Sequence, residues 1–103
     1  MQNRLFNAIG LCQKAGKAVS GAFACEKAIK NGKAKLVLLE SSASIATKEQ
    51  YKSMCDYQKI PLYLVDSVGV AIGKPGRIVM AVTDDAFRKM ISECCPQDYN
   101  QGE

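Results

Sequence analysis

The sequence predicts a single-domain α/β fold with helices on both faces of one sheet, a three-layer α/β/α sandwich. Three observations carry this. Leu36-Val37-Leu38-Leu39, Leu62-Tyr63-Leu64-Val65 and Ile78-Val79-Met80-Ala81-Val82 are apolar at consecutive positions, so each strand is expected to be buried on both faces. Segments of helical periodicity alternate with these runs, the pattern of strand-crossover-strand units and parallel pairing. The chain has 103 residues, enough for one core and not for two.

Taken in order, Leu5, Ile9 and Cys12 follow helical spacing, and the pattern stops in Lys14-Ala15-Gly16-Lys17. Ala18-Val19-Ser20 follows as a short strand, ending where Ser20 or Gly21 caps a second helix that closes at Asn31-Gly32. After the Leu36–Leu39 strand, Thr47-Lys48-Glu49-Gln50 fits a capping box ahead of Tyr51, Met54, Cys55 and Gln58 on one stripe. Pro61 disfavours helical geometry at Ile60 and so ends this helix before the second apolar strand. Asp66 or Ser67 caps a short helical turn through Val70 and Ile72. Lys74-Pro75-Gly76-Arg77 has proline then glycine at its centre, the chemistry of a type II turn, and leads into the third apolar strand. Thr83 is the expected cap of a last helix with Asp84 and Asp85 in its first turn and Phe87, Met90, Ile91 and Cys94 facing inward. The domain is expected to span 1–95, with 96–103 as a frayed tail.

Composition narrows the function. With 48% hydrophobic and 23% charged residues, the chain is expected to fold around a real core. No apolar run approaches the roughly 20 residues that span a bilayer, and the opening MQNRLFNAIG lacks the apolar stretch of a signal peptide. The expected compartment is the cytoplasm, with no membrane partner. Five cysteines without a CxxC pair do not indicate a disulfide framework. The charge is unevenly distributed. Residues 1–35 hold seven basic side chains (Arg4, Lys14, Lys17, Lys27, Lys30, Lys33, Lys35) against Glu26, whereas the remainder holds seven basic against nine acidic. Such a segment either attracts a polyanion or forms a solvated lysine face.

The chain has no histidine, which removes the commonest general base, the usual zinc nitrogen ligand and the Ser-His and Cys-His pairings. The cysteines lack the close spacing of a zinc knuckle, and three of them lie on apolar helical stripes. No metal or cofactor is expected. Vicinal Cys94 and Cys95 sit at a helix end, the wrong place for a low-pKa nucleophile. Gly69-Val70-Ala71-Ile72-Gly73-Lys74-Pro75 is one residue short of a phosphate loop between its glycines and has proline where the magnesium-binding hydroxyl belongs. What remains is anion binding through backbone. Ser20-Gly21-Ala22-Phe23 opens a helix whose first amides lack partners, Lys27 follows two turns in, and Lys14 and Lys17 precede it. If the loop at 73–77 folds alongside, amides and lysines converge on one end of the sandwich, an arrangement suited to an RNA backbone.

The motifs Gly10-Leu11-Cys12-Gln13-Lys14-Ala15-Gly16-Lys17, Ser20-Gly21, Lys27 through Leu39, Cys55-Asp56-Tyr57 before Ile60-Pro61, and Ile72-Gly73-Lys74, taken in this order, resemble a known family. They are similar to the kink-turn RNA-binding ribosomal proteins of the large subunit, and within that superfamily to the bacterial YlxQ-like branch. The resemblance covers residues 4 to about 92. It implies a four-stranded mixed sheet, no catalysis, and RNA gripped by the start of the second helix and the loop before the last strand. The family pattern at that helix start is Gly, any residue, Asn, Glu, two residues and Lys. Gly21 and Lys27 match it, while Phe23 and Ala24 replace the asparagine and glutamate. An asparagine amide hydrogen-bonds a base edge, whereas phenylalanine either stacks on an unpaired base or packs in the core. The expected function is non-enzymatic binding of structured RNA, kink-turn-like or ribosomal, by a monomer that associates with the ribosome. The residues expected to contact it are Lys14, Lys17, Ser20, Gly21, Ala22, Phe23, Lys27, Ile72, Gly73 and Lys74. The rival expectation is a protein-interaction module that keeps the fold without kink-turn specificity.

Overall fold

The structure is a computed structural model, and it describes residues 3–95. The expected tail at 96–103 lies outside them. The order of elements is α1 (Asn3–Lys14), β1 (Ala18–Ser20), α2 (Ala22–Lys30), β2 (Leu36–Glu40), α3 (Ile45–Gln58), β3 (Leu62–Val65), α4 (Val68–Ala71), β4 (Val79–Val82) and α5 (Asp85–Cys94). The strands form one sheet in the order β1-β4-β2-β3.

Alternation within the apolar runs builds the two cores. Val37 and Leu39 of β2, with Val79 and Ala81 of β4, face Cys25, Ala28 and Ile29 of α2 and Tyr51 and Cys55 of α3. Leu36 and Leu38, with Met80 and Val82, face Ala8, Ile9 and Cys12 of α1, Val68 beside Ile72, and Ile91 of α5. The three-layer sandwich expected from the uninterrupted runs is the observed architecture. Both middle strands have fully buried cores of side chains because both faces carry helices.

The all-parallel pairing read from the alternation of elements does not hold. β2 and β3 are parallel, but β4 is antiparallel to β1 and β2. The reason is length: between β3 and β4 the helical segment is the four-residue α4, about 6 Å long, too short to carry the chain back along the sheet. The chain therefore re-enters the sheet from the end at which β3 left it. The mixed sheet implied by the family resemblance is the one present.

Local capping also differs from expectation. α3 begins at Ile45, capped by Ser44, whose Oγ accepts the Thr47 amide at 3.1 Å. Thr47 is inside the helix, and Gln50 donates instead to Glu26 on α2. Two overlapping hydroxyl-led sequences are eligible here, and Ser44 has the extended backbone a cap needs. Asp84, not Thr83, caps α5 by accepting the Phe87 amide, while the Thr83 hydroxyl donates to the Lys17 carbonyl. On α5 the inward stripe is Phe87, Ile91 and Cys95, which leaves Met90 43% exposed and Cys94 half-buried. α3 ends before Ile60, as Pro61 requires, and Lys59 in the left-handed region, with φ 59 and ψ 45, closes it.

Two outcomes follow from this packing. Burial pushes the thiol of Cys12 from 9.0 to about 11, with the Asp84 charge adding to it, and pushes Cys25 to about 12. Both protons are held more tightly in the folded chain than in the unfolded one. The associated stability is complete below pH 9.0 and falls as pH rises through 9.0 towards 11 or 12. Urea unfolding at pH 7 and pH 10 is expected to show this loss, and a Cys25→Ala chain to show less of it. Lys59→Gly, which removes the Cβ from a left-handed residue, is expected to raise stability by up to about 1 kcal/mol in the same assay.

Candidate nucleic-acid interface

The antiparallel register of β1 and β4 decides what meets at the sheet end. Ser20 stands opposite Met80, so the residue after β1 faces the residues before β4. The Gly21 amide donates to the Val79 carbonyl at 3.0 Å, and Arg77 Nη1 donates to Ser20 Oγ at 2.7 Å. The start of α2 and the loop at 73–78 are thus bonded together. Gly21 itself has φ +91, and a Cβ there would come within 3.3 Å of Arg77 Nη1. It occupies the N-cap of α2 without a side-chain cap, which leaves first-turn amides with no side-chain acceptor.

The loop is built as the proline-glycine spacing predicts. The Arg77 amide donates to Lys74 O at 3.1 Å across a turn with Gly76 at φ +99, the geometry of type II. The turn seats directly on α4: a Cβ at Gly69 would lie 2.8 Å from the carbonyls of Lys74 and Arg77. α4 is fixed in turn by Glu40 at the end of β2, whose carboxylate accepts the amides of Ser67 at 2.8 Å and Val68 at 2.9 Å. Ser41 donates to Asp66 beside it. Glu40 and Arg77 are the positioning residues that the sequence reading missed. The signal for Glu40 was available, since it is a charge that directly closes an apolar run.

Of the residues expected to contact RNA, Ser20, Gly21, Ala22, Phe23, Gly73 and Lys74 share this end, and Lys27 is exposed on α2 above it. Phe23 is 82% exposed, so its ring is outside the core. Ile45 at the start of α3, Val70 on α4 and Ile78 before β4 are also exposed, which gives the end an apolar surface among its amides. Ile72 is not part of it. Its side chain is buried under α1 because α4 turns that position into the core.

Lys14 and Lys17 are also elsewhere. The Lys17 carbonyl accepts from the Thr83 amide, at the far end of β4, and Lys35 donates its amide to Val82 O on the other side of that strand. β1 is three residues long, so Lys17 enters about 10 Å below the Ser20 end. The lysine excess of residues 1–35 is thereby divided, with Lys14, Lys17, Lys33 and Lys35 at the end opposite the loops.

Cys95 is a poor nucleophile. Burial, with Cys94 adding to it, pushes the Cys95 thiol up to about 12. Among the described residues no three His, Cys, Asp or Glu side chains come together as a metal would need.

Comparison with known proteins agrees with this architecture. The model of the "Ribosomal protein L7Ae/L30e/S12e/Gadd45 family" matches residues 3–91. "RNA-binding protein YlxQ" of Bacillus subtilis is 44% identical over 91 residues, covering 84% of this chain and 91% of that protein. Its Enterococcus faecium counterpart of the same name is 34% identical over 95 residues, covering 89% and 91%. A solved structure of a Bacillus halodurans protein described as of unknown function superimposes with TM-score 0.80 at 34% identity, covering 86% of this chain and 94% of that one. The Giardia lamblia 15.5kD RNA binding protein shares the fold with TM-score 0.75 at 22% identity, covering 89% and 82%. With the family model matched over nearly the whole chain and close relatives across its length, the chain belongs to the L7Ae/L30e/S12e/Gadd45 family of ribosomal proteins, in its YlxQ-like branch.

Proposed function

We propose that this protein binds structured RNA, kink-turn-like or ribosomal, as a non-enzymatic monomer associated with the ribosome in the cytoplasm. The carrying observation is the hydrogen-bonded junction of the α2 start with the 74–77 turn, which puts unpaired amides, Lys27, Lys74 and an exposed aromatic ring on one end. Backbone amides and ammonium groups suit phosphates, and a phenylalanine face suits an unstacked base. Membership of a ribosomal-protein family and relatives named as RNA-binding proteins support the same reading. Among the described residues, no helix is long and apolar enough to cross a membrane.

Phe23 changes how such a site works. A ring in the asparagine position holds a splayed base by stacking and hydrogen-bonds none of its edges, so discrimination rests on RNA shape more than on base identity. Phe23→Ala is expected to weaken binding by about 1–3 kcal/mol, read by fluorescence titration against a kinked internal-loop RNA. Phe23→Asn is expected to restore part of the affinity while making it sensitive to the unpaired base.

Lys27→Ala and Lys74→Ala are each expected to lower the log-log salt slope of that affinity by about one. A salt-independent affinity contradicts the proposal. Arg77→Ala cuts the bond to Ser20 and frees the turn, so a loss of affinity larger than one phosphate contact supplies is expected at fixed salt. A partner retained from nuclease-treated extract, with no RNA bound by the purified chain, favours the protein-interaction reading instead.

A further inference from the structure

The lysines that fold away from the loop end are not scattered. α2 buries Cys25, Ala28 and Ile29, and its opposite flank carries Phe23, Lys27 and Lys30, spaced i, i+4 and i+7 on one stripe and all exposed. This stripe covers about 10 Å along the helix axis. Past the helix the chain turns at Gly32, with φ +75, and presents Lys33 and then Lys35. Lys17 comes up on the neighbouring side, since Lys17 and Lys35 flank Val82 and Thr83 of β4 from β1 and β2. The one acid of the segment, Glu26, leaves the ridge, its carboxylate accepting from Gln50 on α3. Among the described residues, no carboxylate lies within ion-pair distance of Lys17, Lys30, Lys33 or Lys35.

The helix dipole accounts for Lys27 and Lys30, which stand in the last turn, but not for Lys17, Lys33 and Lys35, which lie outside any helix. An aromatic ring accompanies the cations: Tyr57, 85% exposed, borders a hollow of about 340 Å³ between α2 and α3 together with Lys30. Lysines in line with an exposed ring at each end suit a sugar-phosphate chain better than a compact anion.

We propose that the α2 ridge from Lys27 through Lys30 to the far-end cluster of Lys17, Lys33 and Lys35 is a second contact surface for RNA, holding the phosphates of one helical arm. This rests on the RNA-binding reading above, in which the loop end takes the unpaired or kinked portion. The arm runs across a molecule of 28 × 25 × 25 Å, so only an RNA longer than the kink itself reaches the far end.

The test uses the full chain and two RNAs with the same internal loop, one with a minimal arm and one whose arm outreaches 28 Å. The wild-type chain is expected to bind the long RNA more tightly and with a salt slope steeper by about two. Lys17→Glu/Lys33→Glu is expected to lose about tenfold or more on the long RNA and less than twofold on the short one. Lys30→Gln/Lys35→Gln, milder at the half-buried Lys35, provides the same comparison should charge reversal impair folding. Equal losses on both RNAs, or none on the long one, overturn the second surface while leaving the loop-end reading standing; full affinity for both leaves the ridge open to an acidic protein instead. Failure of the wild-type chain to bind either RNA overturns both.

Discussion

The position of β4 governs the rest of the molecule. It is inserted between β1 and β2 and runs against both, so its first residue meets the last residues of its neighbours. Two backbone bonds, Gly21 to Val79 and Glu40 to Ile78, and the side-chain bond from Arg77 to Ser20 therefore weld three loops that are far apart in sequence. Were β4 parallel to β2, the 74–77 turn would emerge at the opposite end from the start of α2. The candidate interface exists because a four-residue helix is too short to return the chain along the sheet.

The same arrangement separates two kinds of attraction. The loop end is rich in directed donors but has acids among its bases: Glu40 is consumed by the amides of α4, and Asp66 by Ser41. The far end and the α2 ridge carry lysines without ion-pair partners, and the acids that follow Thr83 there are engaged, Asp84 by the Phe87 amide and Asp85 by Arg88. Amides and rings fix where a ligand sits, whereas unpaired ammonium groups raise its local concentration and respond to salt. A ligand that uses both must be polyanionic and extended.

Much of this was legible in the residues, and the failures have identifiable causes. Apolar runs flanked by helical stripes gave the layers, and Pro75-Gly76 gave the turn, because these depend on short-range sterics. Strand direction was misread because alternation of elements says nothing about whether a connection is long enough to cross. Ser44 and Asp84 replaced Thr47 and Thr83 as caps because neighbouring residues had comparable local chemistry. Lys14 and Lys17 were grouped with Ser20 by sequence proximity, yet a strand of three residues is enough to carry Lys17 to the other end. The Arg77 to Ser20 bond joins positions 57 residues apart, a distance over which no local pattern operates.

The central claim is that the start of α2 and the turn before β4 form one RNA-contacting surface, and amide chemical-shift mapping during titration with a kinked internal-loop RNA tests it most directly. The account expects the largest shifts at Gly21, Ala22 and Phe23 together with Gly73, Lys74 and Gly76, appearing at the same RNA concentration. Shifts confined to the hollow around Met54 and Tyr57, or movement of one loop without the other, would contradict it.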